Sequence, residues 1–70
     1  SYETAGMKAV WALVILRMWT ERWEPSTAEV QEYLGMADPS GAYRLMCRLS
    51  GAEEFPIRQD EDGRWRRVEW

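Results

Sequence analysis

Ser26-Thr-Ala-Glu-Val-Gln-Glu-Tyr-Leu-Gly-Met-Ala-Asp-Pro-Ser-Gly-Ala-Tyr-Arg-Leu-Met-Cys-Arg-Leu49 decides how this chain folds, because each helix boundary within it is signalled by its own residue. Ser26 and Glu29 have the S-x-x-E spacing of a capping box, in which each side chain satisfies a free backbone N–H at a helix start. Leu34-Gly35 closes that helix on an apolar residue followed by one that tolerates the left-handed conformation. Asp38-Pro39 opens the next. Asp is a good N-cap acceptor, and Pro at the first helical position has no N–H to leave unsatisfied. The signals predict helices over 27–34 and 39–50, joined by a turn of about four residues. In the later helix Ala42, Leu45, Met46 and Leu49 recur at helical spacing and form a core stripe. Ser40, Tyr43, Arg44, Cys47 and Arg48 fall on the opposite face and are expected in water. In the earlier helix Val30, Tyr33 and Leu34 are expected to turn inward, leaving Glu29, Gln31 and Glu32 outside.

Upstream, residues 7–24 contain no Gly or Pro and read as the longest helix, stopped by Pro25. On a wheel of 100° per residue its polar members Arg17, Thr20, Glu21 and Glu24 cluster together. The apolar ones, among them Trp11, Val14, Ile15, Leu16, Met18, Trp19 and Trp23, fill an arc of roughly 200°, wider than an ordinary surface helix needs. Val10 and Leu13 intrude on the polar side. Two readings follow. Either this helix is central and the others wrap it, or part of the arc, with Val10, Leu13, Trp19 and Trp23, meets a second copy or a larger-protein partner. Residues 1–6 are expected to form a flexible leader.

Downstream, residues 55–70 hold two short runs rich in aromatic and β-branched residues around the turn Asp60-Glu-Asp-Gly63, the pattern of a β-hairpin. Phe55 and Ile57 share one face, and Val68 and Trp70 share another. Trp65 is out of phase with that second pair. Either a bulge intervenes or Trp65 lies outside, flanked by Arg64 and Arg66, and the outside position is the expectation. Pro56 cannot donate to a ladder, so its strand is an edge or begins there.

Of the 70 residues, 46% are hydrophobic, and 7–70 are expected to form one domain. Lone Cys47 permits no internal disulfide, which points to a reducing, cytoplasmic setting. The apolar run Ala9–Leu16 is far shorter than the roughly 20 residues that cross a bilayer, so no membrane partner is expected. The chain has no His, no Gly-rich phosphate loop and no Cys/His metal spacing. No catalytic residue, metal, cofactor or small-molecule substrate is therefore expected. Nine basic and twelve acidic residues give a net charge of −3. The basic ones after position 40 are all arginine, at 44, 48, 58, 64, 66 and 67, so a local basic face is compatible with an acidic whole.

Helix, helix-turn-helix and C-terminal hairpin together resemble the winged helix-turn-helix DNA-binding family, from Met7 onward. The matching residues are Thr27, Glu29-Val30 and Leu34-Gly35-Met36 in the first half of the motif. Ala42-Tyr43-Arg44-Leu45 and Arg48-Leu49 match the second half, and Asp62-Gly63-Arg64 with Arg66-Arg67-Val68 match the wing. The resemblance implies a fold that is mainly α with a C-terminal β-hairpin, a three-helix α+β winged helix-turn-helix. It also implies sequence-specific binding of double-stranded DNA in transcription regulation. The third helix would enter the major groove through Ser40, Tyr43, Arg44 and Arg48, while Arg58, Arg64 and Arg66 on the wing would hold phosphates. The alternative for Arg64, Arg66 and Arg67 is pairing with Asp60, Glu61, Asp62 and Glu69 across the hairpin. The alternative for the whole chain is a winged helix that docks proteins through its apolar first helix or acidic surface.

Overall fold

The computed structural model describes residues 5–51 and 56–68. Their order is α1 (Ala5–Glu21), α2 (Thr27–Leu34), α3 (Pro39–Ser50), β1 (Ile57–Gln59) and β2 (Trp65–Arg67). This is the expected α+β arrangement, three helices followed by an antiparallel hairpin in the wing position.

The local signals act as their chemistry requires. The Ser26 hydroxyl accepts the Glu29 N–H at 3.2 Å, and the Glu29 carboxylate accepts the Ser26 N–H at 2.9 Å. Gly35 has φ 68° and donates its N–H to Glu32 O, while the Met36 N–H reaches Gln31 O. Both bonds are those of a Schellman turn, which satisfies carbonyls the helix leaves open. Asp38 caps α3 by accepting the Ser40 N–H at 2.8 Å.

α1 departs from its expected bounds. It begins at Ala5, inside the expected leader, and stops at Glu21 rather than Glu24. Arg22 has φ +54°, a left-handed conformation that breaks the helical run, and the position before Pro25 disfavours helix in any case. The early stop frees Glu24, carbonyl and carboxylate alike, for other partners. Residues 1–4 of the expected leader lie outside the described residues.

Every element contributes to one core: Trp11, Val14 and Met18 from α1, Val30 from α2, and Ala42, Leu45, Met46 and Leu49 from α3. Ile57 and Trp65 of the hairpin complete it. Tyr33 does not turn inward as expected. It remains 40% exposed, edge-on to Trp23 at 5.0 Å between ring centres.

Trp65 also overturns its expectation: it is 2% exposed, a core residue and not an outer one. The register Ile57↔Arg67, Arg58↔Arg66 and Gln59↔Trp65 puts Ile57 and Trp65 on the same inner face. Val68, which the sequence placed on the phased apolar face, is 51% exposed. The cause is not local. The Trp65 N–H donates to Pro25 O at 2.8 Å, and its indole N–H donates to Thr27 Oγ1 at 3.1 Å. A single bridge between Ser26 and Arg64 continues the contact, so the α1–α2 connection lies along β2 almost as a third strand. A buried Trp is stable where its N–H finds an acceptor, and Thr27 supplies one. Pro56 accepts the Val68 N–H through its carbonyl at 2.7 Å just before β1 begins, consistent with a proline at the strand start. Phe55, Glu69 and Trp70 lie outside the described residues.

Candidate nucleic-acid interface

The inner stripe of α3 is locked into the core by Ala42, Leu45, Met46 and Leu49, so its outward face has a fixed orientation. Ser40, Tyr43, Arg44, Cys47 and Arg48 are all exposed on it. Arg48 lies in the last turn, where a cation complements the helix dipole. Ser40 is tied to the cap: its hydroxyl donates to Asp38 Oδ1 at 2.8 Å. The Ser40 N–H first, then this hydroxyl and the nearby Arg44 charge, hold the Asp38 carboxyl below its ordinary range. Arg44 therefore extends from this face with part of its field offset by Asp38. Tyr43 leans toward Trp65, with ring centres 6.0 Å apart, and Cys47, one turn along the helix, raises the pKa of its hydroxyl.

The hairpin arginines behave differently. Arg64 folds back to the start of α2, donating from Nη1 to Glu24 O at 2.8 Å and to Glu29 Oε1 at 2.9 Å. The Ser26 N–H and then the Arg64 charge hold the Glu29 carboxyl below its ordinary range. Arg66 pairs with Glu24 Oε2 at 3.0 Å and with Asp60 Oδ2 at 3.5 Å. Arg58 is exposed directly across the ladder from Arg66. Two like charges face to face weaken a strand pair, and Glu24 and Asp60 relieve that repulsion from the Arg66 side. Arg67 is half-buried, with its guanidinium 4.9 Å from the Trp19 ring centre. At the tip, Glu61 and Asp62 point into solvent.

The seven residues expected to touch DNA thus fall into separate groups. Ser40, Tyr43, Arg44 and Arg48 share the outward face of α3. Arg58 and Arg66 share the outer face of the hairpin, and Arg64 turns to the base of α2. Glu24, Glu29 and Thr27 were missed as partners of the hairpin. Glu29 already had a role in the capping box, and nothing in its local sequence pointed to Arg64, 35 residues away.

The expected interface residues also separate. Val10 and Leu13 border a surface groove of about 360 Å³ with Tyr33, Leu34 and Met36. Trp19 and Trp23 pack within their own chain, Trp19 under Arg67 and Trp23 against Tyr33 with the Arg17 guanidinium 4.2 Å above its ring. Leu16, which the sequence reading left within the apolar arc, is 61% exposed.

In comparisons with known proteins, no family model, no curated protein and no solved structure matches the chain. Among the described residues, no helix is long and apolar enough to cross a membrane.

Proposed function

We propose that this domain is a winged helix-turn-helix that binds double-stranded DNA in transcription regulation, with α3 in the major groove. The observation that carries the reading is the open outward face of α3. Tyr43, Arg44, Cys47 and Arg48 are exposed on a helix whose other side is anchored by four buried residues. A rigidly mounted helix with arginines one turn apart has the form and chemistry to meet guanine edges and phosphates. Ser40 adds a hydroxyl near the helix start.

The hairpin takes a smaller part in this reading than the sequence suggested. Arg64 and Arg66 already neutralise carboxylates of their own chain, and Glu61 and Asp62 repel phosphate. Arg58 is the hairpin cation best suited to reach the backbone. The net charge of −3 and these paired arginines favour the second reading, a protein-docking winged helix.

Fluorescence anisotropy with a random-sequence duplex separates the two. DNA binding predicts saturable association at low salt that weakens steeply as salt rises. Arg44→Ala with Arg48→Ala should lower affinity by about 10–100-fold, a loss of about 0.7–1.4 kcal/mol for each of the two contacts, while Arg64→Ala changes it much less. No association at low salt would leave the docking reading.

A further inference from the structure

We propose that the outward stripe of α1 is a self-association surface, on which a second copy of this chain packs with its α1 antiparallel to the first. The inference does not depend on DNA binding. Ala9, Leu13 and Leu16 lie on the side of α1 opposite the core residues Trp11, Val14 and Met18. Leu13 is 51% and Leu16 61% exposed, and Ala9 and Ala12 are exposed beside them. A helix face that is apolar is normally covered, yet half or more of Leu13 and Leu16 stays in solvent.

The stripe is complementary to itself. In an antiparallel pair related by a twofold axis beside Leu13, Ala9 of one helix faces Leu16 of the second copy, and Leu16 faces its Ala9. A large side chain meets a small one in each outer layer, and the two leucines at position 13 meet near the axis. This is the isologous contact expected of a twofold dimer.

Two further features favour a second copy over a different partner. No charged side chain lies between Ala9 and Leu16, so a chain with net charge −3 meets no like charge there when it meets itself. Leu13 also borders the groove formed with Val10, Tyr33, Leu34 and Met36. In the antiparallel pair, Leu13 of the second copy lies along the rim of that groove on the same side of the helix, extending the contact beyond α1. A contact made mainly by one helix falls short of the roughly 800 Å² per partner of a stable complex, so the dimer is weak and concentration-dependent.

Sedimentation velocity between about 10 μM and about 1 mM, the range in which a weak complex fills, tests this without DNA. The apparent mass should rise from 8.3 kDa toward twice that value. Leu13→Asp with Leu16→Asp should hold it at the lower value throughout, with the helical circular dichroism of the parent, because both side chains are already in solvent. Orientation is read by oxidative cross-linking in a Cys47→Ser background. Leu13→Cys should form a disulfide dimer, and Thr20→Cys, far from the axis, should not. A single 8.3 kDa species at the highest concentration overturns the proposal. So does self-association that survives the double substitution, or cross-linking that is equal at positions 13 and 20.

Discussion

The α2–turn–α3 unit and the hairpin are held in place in opposite ways. In the helical pair the deciding bonds span a few residues: Ser26 with Glu29, Gly35 with Glu32, and Asp38 with Ser40. In the hairpin they reach back to the α1–α2 connection. Arg64 bonds to Glu29 across 35 positions, Trp65 to Thr27 across 38 and Arg66 to Glu24 across 42. Short-range bonds cost little chain entropy to close and can be seen in a sequence window. Long-range ones form only after the rest of the molecule has collapsed.

The largest test of this contrast is Trp65→Ala. Removing a buried, hydrogen-bonded Trp should cost about 3–5 kcal/mol, most of what a 70-residue domain has to lose. Chemical denaturation should show a chain largely unfolded in water. If Trp65 were an outer residue, the midpoint would hardly move, and the hairpin would not depend on the core.

A smaller loss is expected where the bonds are local. Gly35→Ala should cost about 1 kcal/mol, because the new side chain is forced into the left-handed region. No atom lies within 4 Å of the position an alanine Cβ would take, so crowding adds nothing. Ser26→Ala should cost about as much through the lost cap. In both, calorimetry should find a lowered melting temperature with α3 otherwise unchanged. A loss as large as that of Trp65→Ala would erase the distinction.

Acid gives a third test. The Glu29 and Asp38 carboxyls are both held below their ordinary values, chiefly by backbone N–H bonds from Ser26 and Ser40. Their contribution is complete above the pKa of an unfolded carboxylate, about 4. It is lost as pH falls through the lower folded values. Denaturation midpoints should therefore drop below about pH 4, and less so in Glu29→Gln and Asp38→Asn. An unchanged slope in both variants would show that the helix starts are indifferent to these charges.

Arg66→Ala is the mildest change. Its side chain and those of Glu24 and Asp60 all have substantial solvent contact, and exposed pairs of this kind contribute little. The melting temperature should stay close to that of the parent. A large drop would mean that the charges, rather than Trp65 and Ile57, hold the hairpin to the body.

The same contrast explains what could be read from the chain alone. The ends of α2 and α3 were legible because Ser26, Gly35, Asp38 and Pro39 each act on neighbouring backbone. The outward face of α3 was legible because its core stripe repeats at helical spacing. The phase of β2 was not, since Val68 and Trp65 are equally suited to a strand interior and only the acceptors at Pro25 and Thr27 separate them. The end of α1 was hidden for a related reason: Pro25 marks the latest possible stop, while the actual one lies at Arg22. Among the candidate contact residues, Ser40, Tyr43, Arg44 and Arg48 were grouped by periodicity alone. The commitments of Arg64 and Arg66 required knowing which distant carboxylates would arrive beside them.

Tyr43 belongs to the open face of α3, yet its ring rests beside the indole that seats β2. A molecule pressing on that tyrosine from solvent would bear, one ring further in, on the post supporting the hairpin. The open face of α3 and the hairpin thus meet through these two rings as well as through the core they share.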